Sequence, residues 1–385
     1  MTPPPSPSTP PSTAPSAAPS GADAPRIASV ETYTSGNLCL VKVTTEDGRF
    51  GFGQTAPSEP EITALVLHRL VAKHFVGQNP WDIATLVERA IRAEYKYLGG
   101  FLMRAVSGVD TALWDLKGRV TGQPVYRLLG GAFRDSVGVY ASSMSRETPV
   151  DEELARIRAA VDTYGFTAAK IKVGVRNGRD AELWNGRTAE LVPAMRREFG
   201  DAFLLNADAN GAYSPGGAVA VGRRLEEYGF YHLEEPNPSW ELDNMGYVAR
   251  QLDLPIGAAE QEFSLEIVRR MVAERLVDVI QPDVCYIGGL TRARKVADMA
   301  DIAGIPCTPH SSGHSLIPVF TAHLVLSSPA CTQLQEWSIE QAGTEFFAPR
   351  PVVENGRVEI SDAPGWGVEI LPSFLESAER RVTAL

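Results

Sequence analysis

Residues 203–260 read FLLNADANGAYSPGGAVAVGRRLEEYGFYHLEEPNPSWELDNMGYVARQLDLPIGAAE. Short apolar runs alternate here with longer amphipathic ones, and each run closes on an acid: Asp208, Glu234 and Glu260. The spacing from 208 to 234 and from 234 to 260 is 26 residues in both cases, room for a strand, a helix and their connections. Strands joined by crossovers of a dozen or more residues pair in parallel. A constant period then brings the chain back to the same edge of the sheet each time.

The rhythm extends outward in both directions. The predicted strands are Val137–Met144, Ala168–Gly174, Phe203–Asn210, Tyr231–Pro236, Pro255–Phe263, Val277–Val284, Ile305–Gly313 and Cys331–Trp337. Helical patterns lie between them, among them Asp151–Tyr164 and Leu265–Leu276 with apolar residues on one face. Eight parallel strands and seven helices predict a (β/α)7β TIM-type barrel over residues 137–337. An open doubly wound sheet is the competing architecture, and it is less common at eight parallel strands.

Residues 26–136 follow another grammar. Arg26–Thr34, Leu38–Thr45 and Arg49–Gly53 read as strands, and Glu61–His74, Trp81–Ala93 and Leu102–Gly118 as helices, which predicts a mixed α+β domain. Residues 338–385 carry the hairpin signal Glu354-Asn355-Gly356 and are expected to return to that first domain. Residues 1–25 are rich in Pro and Ser, without Lys or Arg, and are expected to be a disordered tail.

Composition removes several classes of function. Of 385 residues 44% are apolar, ample for a core, and 36 Lys+Arg against 47 Asp+Glu leave a net charge of −11. An acidic chain without basic runs is unsuited to wrapping nucleic acid or docking on an anionic membrane, and no stretch approaches a membrane span. Cys39, Cys285, Cys307 and Cys331 are scattered, without a CxxC, so a reducing, cytoplasmic compartment is expected.

Chemistry on a barrel gathers at the C-terminal ends of its strands. Those ends deliver Lys170 and Lys172, Asp208 and Asn210, Glu234 and Glu235, Glu260 and Glu262, Asp283, His310 and Glu336. Three converging carboxylates, Asp208, Glu234 and Glu260, repel one another unless a hard cation lies between them, and oxygen-only ligands select Mg²⁺. Lys170 and Lys172 share one side of their strand. Their mutual repulsion should lower one pKa and make that amine a usable base. Asp283 lies at the end of the strand before His310, so the two form a candidate dyad for proton transfer. His314 follows within a Ser-Ser-Gly stretch (311–313) that argues against a helical zinc motif.

Lys172 and His310 would thus face a substrate from two sides, and the reaction class is proton abstraction alpha to a carboxylate. Glu336 would hydrogen-bond the developing enediolate, if it is protonated or bridged by water. Two other classes compete: a dinucleotide-binding oxidoreductase, from GFGQTA at 51–56, and a catalytically dead binding barrel. Pro57 and Pro60 remove amide donors where a helix should grip pyrophosphate, and every acid and base expected of a live site is present.

The ordered set of Lys170-x-Lys172, DAN (208–210), EEP (234–236), GAAE (257–260), QPD (281–283), GGLT (288–291) and Pro309-His310 resembles the enolase superfamily, mandelate racemase subgroup. The resemblance covers about residues 26–385 and includes MRAVSGVDTALWDLKGRVTGQPVYRLLGG at 103–131. It implies that residues 26–136 form a capping domain over the barrel mouth, with Mg²⁺, a small carboxylate substrate and a homo-oligomer. It also implies that the first acid of EEP is the ligand, with Glu235 behind it. Glu262, two residues past Glu260, shares its face and is expected to reach substrate or Arg/Lys partners, and Asn210 is a further candidate substrate contact. Asp283 with His310, where the muconate-cycloisomerase branch carries Lys, points to the racemase-like branch. Acid-sugar dehydration to a 2-keto-3-deoxy acid is the favoured outcome, and racemisation or epimerisation through the same intermediate is the alternative. Ser142, Ser143, Ser311 and Ser312 could meet a polyol chain, and loops Tyr33–Asn37 and Thr55–Glu59 would select it.

Overall fold

A computed structural model of the chain describes residues 24–311, 313, 315–340 and 345–385. Most of the expected tail, and the expectations placed on Ser312 and His314, therefore lie outside the described residues.

The first domain is an antiparallel sheet backed by helices. Its strand order is Glu379–Ala384, Ile27–Ser35, Leu38–Thr45 and Phe50–Gln54, so the last strand of the chain pairs with the first. Helix Gly100–Thr121 lies across Phe50–Gln54, and the two glycines of Gly51-Phe52-Gly53 make the contact possible. A Cβ on Gly51 would sit 2.8 Å from Leu116 Cα, and one on Gly53 would sit 2.5 Å from the Gly108 carbonyl. The Gly-x-Gly of GFGQTA is thus a strand packed tightly on a helix. Asp115 on that helix accepts the Phe52 and Trp366 N–H groups at 2.8 and 3.0 Å, tying the sheet to the C-terminal segment.

The second domain is built on parallel ladders. Val137–Ser142, Ala168–Lys172, Leu204–Asp208, His232–Glu234, Ile256–Ala258 and Val279–Ile280 pair in sequence order, and Gln335–Ser338 pairs in parallel with Val137–Ser142. The sheet therefore curls back onto its first strand. The seventh position departs from the expected strand Ile305–Gly313: it touches the sixth through the bridges Ile280–Cys307 and Asp283–His310 alone. Toward the eighth strand, the Cys307 N–H donates to the Ala330 carbonyl at 3.0 Å. Pro306 and Pro309 have no N–H to give, so no regular ladder can run through them. The expected strands Pro255–Phe263 and Val277–Val284 also shrink to short cores.

Alternation sorts these strands. Ala169, Ile171, Leu205, Ala207 and Leu233 join the apolar core, while Lys170, Lys172, Asn206, Asp208, His232 and Glu234 occupy the alternate positions, all buried. Outer helices close the other face. Leu265–Ala273 buries Val268, Met271 and Val272, worth roughly 1.5–3 kcal/mol each, and its Ser264 cap accepts the Ile267 N–H at 3.3 Å. The hairpin Val353–Glu354/Arg357–Val358 adds antiparallel to Val137–Ser142. Among the described residues no helix is long and apolar enough to cross a membrane.

Candidate active site

Asp208, Glu234 and Glu260 each offer a carboxylate oxygen within 4.8 Å of the others, and all three are buried. Adjacent ladders set the first two: Asp208 is in register with Glu234 across neighbouring strands. The chain turns sharply around these acids. Asn210, Glu235 and Ala259 have φ of 42°, 41° and 109°, a left-handed region costly for side-chain-bearing residues. Such strain, of order 1–3 kcal/mol per residue, persists where surrounding structure enforces it and concentrates at functional sites.

The cluster fits a hard dication. Glu234 Oε2 accepts from Lys170 Nζ at 2.8 Å and Gln281 Nε2 at 3.0 Å, while its Oε1 is buried without any partner. An orphaned carboxylate oxygen beside two further carboxylates is an all-oxygen donor set, as Mg²⁺ prefers. Burial, with Asp208 and Glu234 adding to it, pushes Glu260 up, although His310 opposes the shift. Glu235, next to the cluster, is pushed well up by burial and by Glu260, Asp208 and Glu234. Glu234 goes the other way: burial would raise it, but Lys170, with His232 and Lys172, holds it well below the usual carboxylate range.

The lysine pair behaves differently from expectation. Lys172 pairs with Asp208 and lies 3.3 Å from Asn210 Oδ1. Lys170 is fully buried between Glu234 and Glu336, at 2.8 and 2.7 Å. Burial works to lower the Lys170 amine, but those two carboxylates outweigh it and carry it well above its usual range. The lysine expected to have a lowered pKa is thus not Lys170, which sits among Glu234, Glu336 and, at 3.9 Å, Asp208.

His310 Nδ1 lies 2.8 Å from Asp283 Oδ2, and its Nε2 lies 3.4 Å from Glu260 Oε2. Asp283 Oδ1 accepts the Cys285 and Tyr286 N–H groups at 2.7 and 3.0 Å, which locks the carboxylate in place. Burial lowers His310, but Glu260, Asp283 and Glu336 together raise it to about 10. Glu336 is held in turn: Ser142 Oγ donates to its Oε1 at 2.7 Å and the Ser311 N–H to its Oε2 at 3.0 Å. Burial would raise it, yet Lys170 and His310 bring it down to about 2. Protonated Glu336, one of the two conditions left open by the sequence, is thus disfavoured.

Glu262 is not in the cluster. The strand ends at Ala258 and residues 260–261 form a turn, so two-residue alternation no longer places Glu262 beside Glu260. It is partly exposed, and burial is the cause of its raised pKa. Asn210 is in place: its Oδ1 accepts from Arg146 Nη2 at 2.8 Å, and its Nδ2 faces Asp208 Oδ2 at 3.2 Å. Arg146, which also donates to the Gly174 carbonyl at 3.2 Å, carries no sequence signal, being one arginine in a loop. Gln281 did carry one, since it stands two residues before Asp283 on the same side of a predicted strand. From the first domain, Gln54 Oε1 accepts the Leu316 N–H at 2.8 Å, and Arg104 lies 4.3 Å over the Tyr286 ring.

Comparison with known proteins agrees with this geometry. Residues 14–130 match the mandelate racemase/muconate lactonizing enzyme N-terminal domain, and residues 152–373 match the enolase C-terminal domain-like family. An arabinonate dehydratase from Saccharolobus solfataricus is 28% identical over 88% of this chain and 90% of its own. A Roseobacter denitrificans structure, described provisionally as a racemase, is 40% identical with a TM-score of 0.91, over 94% of this chain and all of its own (100%). A mandelate racemase/muconate lactonizing protein from Paracoccus denitrificans, solved with magnesium, is 29% identical with a TM-score of 0.84, over 94% of this chain and 98% of its own.

Proposed function

This chain belongs to the mandelate racemase/muconate lactonizing enzyme family of the enolase superfamily, with its capping domain and TIM-like barrel, and from that premise we propose that it is a Mg²⁺-dependent acid-sugar dehydratase. The observation that carries the reading is the row Asp208–Glu234–Glu260, with Lys172 at the Asp208 end and His310 at the Glu260 end. Asp208, Glu234 and Glu260 would hold the ion, whose charge would lower the cost of forming an enediolate from a substrate carboxylate.

The chain's own groups do the proton work. Lys172 and His310 approach a molecule over the carboxylate row from its two ends. One takes the α-proton at its nitrogen, and the electron pair of the C–H bond becomes the enediolate. As that pair forms the Cα–Cβ double bond, the β-hydroxyl leaves, protonated by the other base. The resulting enol tautomerises to a 2-keto-3-deoxy acid, and water is the second product. Asp283 holds His310 so that Nε2 faces the row, and a proton on Nδ1 is shared with its carboxylate. With Glu260 committed to a cation, His310 would lose part of the support that holds its pKa up, and so become able to accept a proton.

A second reading rests on the same two bases. Without a β-leaving group, reprotonation from the opposite face gives racemisation or epimerisation, and the 40%-identical Roseobacter relative is described in those terms. The test is to incubate the protein with Mg²⁺ and a panel of acid sugars and assay for 2-keto acids. Keto product supports dehydration. Exchange of the α-proton in D₂O without keto product selects the racemase reading, and neither outcome with any substrate rejects both.

A further inference from the structure

The Gln281 carboxamide occupies space left by a missing side chain. A Cβ built on Gly257 would land on Gln281 Oε1 and lie 3.0 Å from its Cδ. Gly257 has no positive φ, so its backbone could take any residue; what its hydrogen atom leaves room for is the amide itself. Gln281 is anchored from its backbone, whose N–H donates to the Ala258 carbonyl at 2.8 Å, and its side chain is buried. From there Nε2 donates to Glu234 Oε2 at 3.0 Å, the oxygen that Lys170 also holds. Reversing the amide would set oxygen against a carboxylate, so Glu234 fixes its orientation. Both donors sit on Oε2, and Oε1 is left buried without a partner, in a residue whose carboxylate lies within 4.8 Å of those of Asp208 and Glu260.

We propose that Gln281, seated over Gly257, is a positioning residue that aims Glu234 Oε1 at the metal, an inference that rests on the metal-dependent reading above. Lys170 alone can hold Oε2, but an ammonium is a rotatable point charge. The planar amide adds a second direction, which fixes how the carboxylate is turned. Partners of this kind behind a ligand typically alter metal affinity by about 10–100-fold.

The test is Mg²⁺ affinity measured by titration calorimetry on the purified wild-type chain and on Gln281→Met and Gly257→Ala. Gln281→Met keeps bulk and removes the donor; Gly257→Ala leaves Gln281 in the chain and displaces its amide. Each should raise the Mg²⁺ Kd about tenfold or more, and the double variant should add little to either single change. A merely structural role would lower thermal stability without moving Kd. Either single variant, folded and with Kd within twofold of wild type, overturns the proposal. A variant that does not fold leaves the other as the deciding measurement, and Gln281→Leu replaces Met if both fail. A wild-type chain that does not bind Mg²⁺ rejects the metal-dependent reading itself, and this inference with it.

Discussion

The imidazole of His310 and the carboxylate of Asp283 are joined at 2.8 Å across two neighbouring barrel positions, which also meet through their backbones in a parallel bridge. Two main-chain N–H groups hold the far oxygen of Asp283, so the pair has little freedom to reorient. The partner choice assigns the Nδ1–H tautomer and leaves Nε2 facing the acid row.

Asp283→Asn should therefore lower kcat by about two to four orders of magnitude, the range spanned by loss of general acid–base catalysis. Mg²⁺ affinity should be nearly unchanged, because Asp283 does not touch Asp208, Glu234 or Glu260 among the described contacts. Steady-state kinetics alongside metal titration check this. An Asn variant with wild-type turnover would remove the dyad from the mechanism.

Metal removal should be visible in stability as well as in turnover. Buried Glu260 and Glu235 are pushed up by burial and, beyond it, by the neighbouring carboxylates, and a dication that binds only the folded chain relieves that repulsion. At a hundredfold excess over Kd the linked stabilisation is about 2.7 kcal/mol. Thermal unfolding should shift upward with MgCl2 and back with chelator, and a matched NaCl series should not reproduce it. In Glu234→Gln the shift should disappear.

The contrast between what the sequence reveals and what it conceals follows from periodicity. Asp208, Glu234, Asp283 and His310 were readable because a 23–27-residue repeat returns the chain to one rim. Glu262 stands outside the acid cluster because its expected place beside Glu260 assumes a strand continuing past Ala258, whereas the chain turns there. The partners of Lys170 were unreadable for another reason. They lie on the fourth and eighth strands, and inter-strand stagger is not written in the local pattern of either. Arg146 is a further case, since only the folded loop brings it to Asn210.

His323 predicts an acid-sensitive joint far from the acid row. On helix Ile317–Leu326, fully buried, its Nδ1 accepts the Tyr126 N–H at 3.1 Å and its Nε2 faces the Trp366 carbonyl at 3.2 Å. A proton on Nδ1 would face the Tyr126 donor. Burial lowers the pKa from 6.5 to about 4. Because the folded value is depressed, the neutral ring's stabilising contribution is complete above pH 6.5 and is lost as pH falls through that value toward 4. The loss should be on the order of 2–3 kcal/mol. Urea unfolding at pH 7.5, 5.5 and 4.5 should show it, and His323→Gln should flatten this part of the profile. Equal pH dependence in the two proteins would reject the assignment.

Lys170 and Lys172 should separate in mutagenesis even though one residue lies between them. Lys170, without solvent exposure, balances Glu234 and Glu336 at 2.8 and 2.7 Å. Removing one partner of a buried ion pair leaves uncompensated charge and typically costs 3–5 kcal/mol. Lys170→Met should therefore unfold at clearly lower denaturant concentration, with the loss reduced at low pH where the carboxylates protonate. Lys172 reaches Asp208, whose charge a bound cation also balances, so with Mg²⁺ present Lys172→Met should unfold close to wild type and lose turnover instead. Chemical unfolding of both variants in MgCl2 tests the split. If Lys170→Met proves as stable as Lys172→Met, the buried bridge from the second strand to the fourth and eighth is not what holds these carboxylates in place.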